Sequence, residues 1–324
     1  MVIGSNSFSG ASFVDYAIKK GVSVIGTSRS AEPIDAMLPY KWTDHRRFAF
    51  HKLDLNNDIQ GISELLRSVK PRYVINFAAQ SMVGESWQHP EHWFMTNVVS
   101  TVKLHDVLRK FDFVERYVHV STPEVYGSCS GFVDENFPFN PSTPYAVSRA
   151  AADMSLRTFH SAYDFPVVTT RAANVYGPGQ QLYRIIPRTI LFILLGRKLQ
   201  LHGGGVSTRS FIHMNDVSDA TWKIMQSGRN GDSYHISTSE VVSIRQLVER
   251  ICQKLGVSFE SHVEIVGERM GKDSAYHLDS TKVRTELGWE DHLSLDQGLE
   301  ECIDWVRDNF EALKASNYDY SHKP

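Results

Sequence analysis

The chain opens with Met1-Val2-Ile3 and passes at once into Gly4-Ser5-Asn6-Ser7-Phe8-Ser9-Gly10, after which an amphipathic helix runs to Lys20 and stops at Gly21. An apolar strand that enters a helix through so short a turn constrains the whole fold, because its sheet partners must return by crossover and lie parallel to it. The rest of the sequence keeps that rhythm. Val22 to Thr27, Phe48 to Leu53, Tyr73 to Phe77, 117–121 and Val167 to Arg171 read as strands. Ile59 to Val69, Pro90 to Lys110 and the stretch from Tyr145 read as helices. The alternation predicts an α/β fold with a doubly wound parallel (Rossmann) sheet and helices on both faces. After Gly177-Pro178-Gly179 the elements become shorter and mixed, with helices near 184–195, 215–226, 243–254 and 294–313 and a strand at 208–213. These predict a smaller α/β carboxyl-terminal lobe over 174–324, beside a Rossmann domain over 1–173 to which 203–233 returns.

Composition removes several classes of function. A net charge of −3 gives no basic field for nucleic acid or an anionic membrane. The most apolar stretch, Ile185 to Leu195, is interrupted by Pro187-Arg188 and is too short to span a bilayer. Cys129, Cys252 and Cys302 lie far apart, which argues against a disulfide framework or a zinc site and fits a reducing cytoplasm. Only three residues stand ahead of Gly4, so no leader peptide is expected. His202, His213 and His235 are separated in strand-like surroundings, and no metal site is expected from them.

Two stretches carry the chemistry. The turn Gly4 to Gly10 lies between a strand and a helix, where backbone N–H groups and the positive helix end can hold a pyrophosphate. The second stretch reads Ser121-Thr122-Pro123-Glu124-Val125-Tyr126-Gly127, then a loop to Ser142-Thr143-Pro144, then Tyr145-Ala146-Val147-Ser148-Arg149. Ser142 or Thr143 before Pro144 is a helix start, so Tyr145 falls in the first turn with Arg149 one turn later on the same face. A hydroxyl, a carboxylate, a phenol and a permanent cation thus converge at the end of one strand, as proton and hydride chemistry requires. The second strand ends Gly26-Thr27-Ser28-Arg29-Ser30, with no acid before Glu32 to take the ribose hydroxyls of NAD. Arg29, helped by the Ser28 or Ser30 hydroxyl, can pair with a 2′-phosphate, so NADP is expected in preference to NAD.

These motifs resemble the extended short-chain dehydrogenase/reductase family, whose signature is a Ser/Thr followed by Tyr-x-x-x-Lys. Within it, Ala78-Ala79-Gln80-Ser81-Met82-Val83 looks like a segment of GDP-mannose 4,6-dehydratases, and Thr122-Pro123-Glu124 is similar to the strand end of sugar-nucleotide 4,6-dehydratases generally. The resemblance covers nearly the whole chain. It implies a nucleotide-sugar 4,6-dehydratase, with a GDP-sugar favoured, that forms a 4-keto-6-deoxy sugar through a bound NADP. It implies cofactor contacts at Gly4, Ser7, Phe8, Gly10, Ser28, Arg29, Asp54, Leu55, Ala78, Ala79, Tyr145 and Arg149. It implies catalytic roles for Thr122, Glu124, Tyr145 and Arg149. Tyr145 would take the 4-hydroxyl proton beside Thr122, and Glu124 the C5 proton. Ser81, together with Asn174, Arg184, Arg209 and Arg269 of the carboxyl-terminal lobe, would bind the nucleotide sugar. Relatives pair through helices like those beginning near Pro90 and Tyr145, which implies a homodimer or homotetramer.

Three positions depart from the family pattern. Ser7 replaces the middle glycine of Gly-x-x-Gly-x-x-Gly, at about 1 kcal/mol if that position requires a left-handed backbone. Arg149 replaces lysine and keeps the charge in a planar, forked group. Pro123 stands where relatives carry an acid or hydroxyl, and proline transfers no proton. Two other readings therefore stay open. One is an epimerase of the same family, which Glu124 argues against. The other is a non-catalytic NADP-binding regulatory protein, which Ser7, Pro123 and Arg149 together motivate.

Overall fold

The structure, a computed structural model, describes residues 1–267 and 277–323. Seven strands form one parallel sheet in the order Ser233–Ile236, Val167–Ala172, Arg116–Val120, Tyr73–Asn76, Val2–Ile3, Val24–Ser28, Phe48–Lys52. This is the doubly wound α/β sheet that the alternation predicts, with one strand added at an edge by Ser233–Ile236. Neighbouring residues on its central strands bury into opposite cores, as the two-residue period of a strand dictates. Val2, Ile75, Val118 and Val168 meet the helices Phe8–Lys19 and Met214–Ser227 on one face. Ile3, Val74, Tyr117 and Val167 meet Ile62, Leu66, Leu104, Leu108 and Leu156 on the other. A third core lies among helices Ile185–Leu194, Ile244–Leu255 and Leu295–Asp308. Trp305 ties this core back to the segment after the second strand by donating from its indole nitrogen to the Ala36 carbonyl at 2.9 Å. Among the described residues no helix is long and apolar enough to cross a membrane.

Two elements differ from the sequence reading in ways that shape the site. The stretch read as one helix from Pro90 to Lys110 is Pro90–Phe94, a π-helical turn Met95–Ser100, then Thr101–Leu108. The wide turn points Asn97 at the loop after the fourth strand. Its side chain accepts from the Gln80 amide at 2.9 Å and donates to the Gln80 carbonyl at 3.0 Å and to Ser148 at 2.9 Å. The strand read over 208–213 breaks at Ser210. Thr208–Arg209 pairs antiparallel with Val242–Ser243, while Phe211–His213 pairs parallel with Asn174–Tyr176.

The first turn shows why Ser7 is tolerated. Ser7 adopts φ −72° and ψ 158°, an extended conformation open to any L-residue, and it caps the helix Phe8–Lys19. Its hydroxyl accepts from the Gly10 amide at 3.1 Å and donates to the Gly4 carbonyl at 2.7 Å. The left-handed cost therefore does not arise, and the serine adds a cap. Gly4 is the position that needs glycine: its φ is +83°, and a Cβ there would lie 2.6 Å from the Ala78 nitrogen. Gly10 is equally confined, since a Cβ would collide with the Gly4 carbonyl oxygen. Removing the cap should cost more than restoring glycine. We expect Ser7→Ala to lower stability by about 1 kcal/mol and Ser7→Gly by only a few tenths, read by guanidinium unfolding. Equal losses would show that the hydroxyl does not act as a cap.

Candidate active site

The strand Arg116–Val120 ends at Ser121, and the chain then makes a one-turn 3-10 helix, Pro123–Tyr126. Thr122 is its N-cap, with the hydroxyl 3.4 Å from the Glu124 amide. Pro123 takes the first helical position, where its fixed φ suits the turn and its missing N–H costs nothing. The long helix Pro144–Tyr163 starts the same way: Thr143 caps it through the Ala146 amide at 3.1 Å, and Pro144 follows. These two starts bring the predicted groups together. The Thr122 hydroxyl hydrogen-bonds the Glu124 carboxylate and lies in hydrogen-bonding contact with the Tyr145 phenol. Burial, and next the Glu124 charge, push the Tyr145 pKa up to about 12; Arg149, the Thr122 hydrogen bond and Arg184 pull it the other way.

Arg149 is buried one turn along the helix. Its guanidinium donates to the Val120 carbonyl and approaches His119 Nε2 at 3.5 Å. Its Nε is buried with no hydrogen-bond partner among the described residues. Behind it lies a polar network absent from the sequence reading. Asp153, two turns beyond Tyr145, receives Arg171 Nη2 at 2.8 Å and the Ser121 hydroxyl at 2.7 Å. Arg171 Nη1 donates to the Tyr126 hydroxyl at 2.9 Å, and that oxygen meets His235 Nε2 at 2.7 Å. Burial and the Arg149 and Arg171 charges hold His119 well below the usual histidine range, so it is neutral and its 3.5 Å approach to Asp153 is not an ion pair. The only sequence hint of Asp153 was its place at the next helical repeat after Tyr145 and Arg149.

A cleft of about 1290 Å³ runs from the Gly-rich turn across this strand end to the helix Ile185–Leu194 and the strand Leu199–His202. Ser7, Phe8, Ala79, Ser81, Thr122, Glu124, Tyr145, Arg149, Asn174, Arg184 and Arg209 all line it. Gly4 and Gly10 lie beneath, forming a cradle that a Cβ would fill. That cradle, the capped helix start and the unpartnered Arg149 nitrogen fit a dinucleotide. The remaining predicted cofactor residues, Ser28, Arg29, Asp54, Leu55 and Ala78, do not line the cleft. Ser28 accepts from the Asn6 amide at 3.0 Å, pinning the turn to the second strand. Asp54 accepts from the Asn56 amide at 2.9 Å and the Asn57 side chain at 2.7 Å, Leu55 is buried, and Ala78 backs Gly4. Glu32, the first acid after the second strand, is engaged by the Tyr40 hydroxyl at 2.6 Å and by Lys41 at 3.3 Å. Arg269 lies outside the described residues.

The carboxyl-terminal segment, which sequence reading left unassigned, crosses one end of the cleft. Arg188 holds the Tyr318 carbonyl at 2.9 Å and the Asp319 carboxylate at 3.0 Å. Tyr320 packs edge-on to Tyr183, and His322 stacks on Trp93 with ring centroids 5.0 Å apart. The Lys323 carbonyl accepts from Arg29 at 3.1 Å and from Gln80 at 2.5 Å. This strap thus joins the helix Ile185–Leu194 to the second and fourth strand ends.

Known proteins share this architecture. The family model described as GDP-mannose 4,6 dehydratase matches residues 1–302. A dTDP-glucose 4,6-dehydratase of Xanthomonas campestris pv. campestris is 31% identical over 95% of this chain and 93% of its own. The dTDP-D-glucose 4,6-dehydratase of Homo sapiens is 34% identical over 79% of this chain and 75% of its own. Among solved structures, a dTDP-glucose 4,6-dehydratase from Streptomyces venezuelae with NAD bound superposes with a TM-score of 0.89 at 32% identity, covering 96% of this chain and 97% of that one.

The network behind the strand end makes its own prediction. Asp153→Asn leaves the Arg171 charge buried without its counter-ion, and we expect a loss of roughly 3–5 kcal/mol in unfolding free energy. The Asp153→Leu/Arg171→Met double variant should lose less than Asp153→Asn alone. Denaturant unfolding of both decides it, and a neutral Asp153→Asn would show that the ion pair does not hold the strand end.

Proposed function

The chain belongs to the GDP-mannose 4,6-dehydratase family, and from that premise we propose that it is a working nucleotide-sugar 4,6-dehydratase that yields a 4-keto-6-deoxy sugar. The observation that carries this reading is the contact of Thr122 with both Glu124 and Tyr145 at the floor of one cleft. Two separate proton acceptors beside one hydroxyl suit a reaction that removes a proton at O4 and another at C5. Tyr145 takes the O4 proton while Thr122 hydrogen-bonds the same oxygen. The resulting 4-ketone acidifies C5, where Glu124 acts as base, and water leaves from C6. With Pro123 unable to donate, Glu124 also serves the departing hydroxyl. The bound nicotinamide cofactor supplies the temporary oxidation at C4 and the reduction at C6.

Burial and the Glu124 charge hold the Tyr145 phenol up at about 12 even with Arg149 and Arg184 pulling it down, so a phenolate near pH 7 needs a further favourable charge or hydrogen bond when the cleft is filled. Arg149 supplies a permanent positive charge beside the phenol and so keeps the electrostatic part of the family lysine's role. Ser81, Asn174, Arg184 and Arg209 line the end of the cleft proposed for the nucleotide sugar, where arginine suits paired phosphate oxygens. For the cofactor we propose NADP, because Arg29 stands at the second strand end and Glu32 is engaged elsewhere; NAD, present in the Streptomyces relative, is the alternative. For the substrate we place dTDP-glucose first, after the relatives' names, and a GDP-hexose second, after the family model and the Ala78 to Val83 segment. Residues 1–173 with 203–233 would form the cofactor half and 174–324 the sugar-nucleotide half. Exposed Phe94, Met95, Val99, Val147 and Met154 on the two neighbouring helices support a homodimer. Cytoplasmic residence fits the three free thiols.

A panel of dTDP-, GDP-, UDP- and CDP-hexoses tests the reading. Loss of one water mass is expected from at least one sugar. An isomer of unchanged mass would mean an epimerase, and cofactor binding without turnover would mean a regulator. Variants separate the two proton acceptors. Tyr145→Phe should neither reduce the cofactor nor exchange the C5 proton. Glu124→Gln should still oxidise at C4 and accumulate reduced cofactor, with elimination slowed by roughly 10²–10⁴-fold. Near-normal turnover by Glu124→Gln would remove it as the base. Arg29→Asp should weaken NADP roughly 10–100-fold while leaving NAD little changed, and equal losses in titration would end the 2′-phosphate assignment.

A further inference from the structure

Just outside the strap, the helix Pro90–Phe94 begins among three imidazoles and a carboxylate. Glu91 Oε1 lies 3.7 Å from His89 Nδ1 and 3.7 Å from His92 Nε2, and the three ligand-type atoms all fall within 4.8 Å of one another. Donors around a tetrahedral first-row ion at 2.0–2.1 Å stand about 3.4 Å apart. The His89 and Glu91 side chains are 55% and 67% exposed, so small rotations can close the remaining gap. Glu91 has no lysine or arginine partner among the described residues.

His92 is set up for the same task from its other side. Its Nδ1 lies 2.8 Å from His322 Nε2, a contact between residues 230 apart in sequence. Two ring nitrogens at that distance share one proton. When His92 Nδ1 carries it, Nε2 presents its lone pair toward Glu91 and His89, which is the tautomer that binds a metal. His322 is fixed in turn, stacked on Trp93 with rings 7° from parallel and with Nδ1 3.3 Å from the Tyr320 hydroxyl. The arrangement has ligands on one helix start and an outer hydrogen-bond partner on the strap.

We propose that His89, Glu91 and His92 form a binding site for a divalent first-row transition ion, and that His322 is its outer-sphere partner, so that metal binding latches the carboxyl-terminal strap. Two imidazoles and a carboxylate suit zinc, cobalt or nickel and not magnesium or calcium, which prefer oxygen ligands. Three protein ligands leave the remaining positions to water. Occupancy fixes the His92 tautomer, which strengthens its bond to His322. The strap from Tyr318 to Lys323 is thereby held against Trp93, Arg29 and Gln80.

The test uses tag-free full-length protein stripped with chelator, titrated with Zn²⁺ and Co²⁺ by calorimetry and Co²⁺ absorption, with Mg²⁺ as the control ion. One transition ion per chain is expected, with no Mg²⁺ binding. His89→Ala and His92→Ala should each weaken it by roughly 100-fold or more, and His322→Ala by roughly 10–100-fold, the usual effect of losing an outer-sphere partner. His45→Ala, at another exposed histidine, should change nothing. Hydrogen exchange in 318–323 should slow on Zn²⁺ addition in the parent protein and not in His322→Ala. All of these substitutions lie at the surface or on the strap, and matching circular dichroism spectra establish that each variant folds. The site is overturned if no saturable stoichiometric binding occurs, or if binding survives the His89→Ala/His92→Ala double variant. The latch is overturned if exchange in the strap ignores the metal.

Discussion

The buried Arg171–Asp153 pair holds the reactive end of this molecule in shape. Taking two charges out of water is costly unless they are well engaged, and here each bonds to several elements, although Asp153 Oδ1 and Arg171 Nε have no hydrogen-bond partner among the described residues. Asp153 sits on the helix that carries Tyr145 and Arg149, and it also receives the hydroxyl of Ser121 at the strand end. Arg171 belongs to the next strand and extends the contact to Tyr126 in the turn that carries Glu124. His235 joins from the edge strand through the same tyrosine oxygen. A shift of any one element would leave a buried charge or hydroxyl unsatisfied. The positions of Thr122, Glu124 and Tyr145 relative to one another thus depend on an ion pair that touches none of them.

This arrangement also explains the departures from the family pattern. Serine at position 7 and proline at 123 both occupy helix starts, where a capping hydroxyl and a fixed φ are favourable. Each is a gain in local structure at a place where the motif asks for something else. Arg149 differs, because its planar head donates inward to Val120 and its buried Nε has no hydrogen-bond partner among the described residues. Arg149 lines the cleft, where a bound ligand can engage its guanidinium.

Much of this was legible in the sequence because it depends on local pattern. Strand period, the Gly4 to Gly10 turn and the proline-marked helix starts are short-range signals, and they placed the sheet and the Thr122, Glu124 and Tyr145 cluster. What escaped depends on distant partners. The edge strand Ser233-Tyr234-His235-Ile236 carries two polar rings in an apolar position, which hides its period until Tyr126 appears beneath it. The π-helical turn at Met95–Ser100 arises from Asn97 meeting Gln80 and Ser148. The break at Ser210 arises because its two sides pair with different strands. The strap, its grip on Arg29 and the histidines around Trp93 join residues more than two hundred positions apart.

The proposed chemistry needs two separate proton acceptors at one strand end, one for O4 and one for C5. Turnover in heavy water, followed by NMR of the product, tests this most directly. Glu124 exchanging its proton with solvent between leaving and returning to C5 predicts a 6-deoxy product that carries one solvent deuterium at C5 and none at C6. A product that has lost water without solvent deuterium at C5, or one labelled at C6, would contradict it.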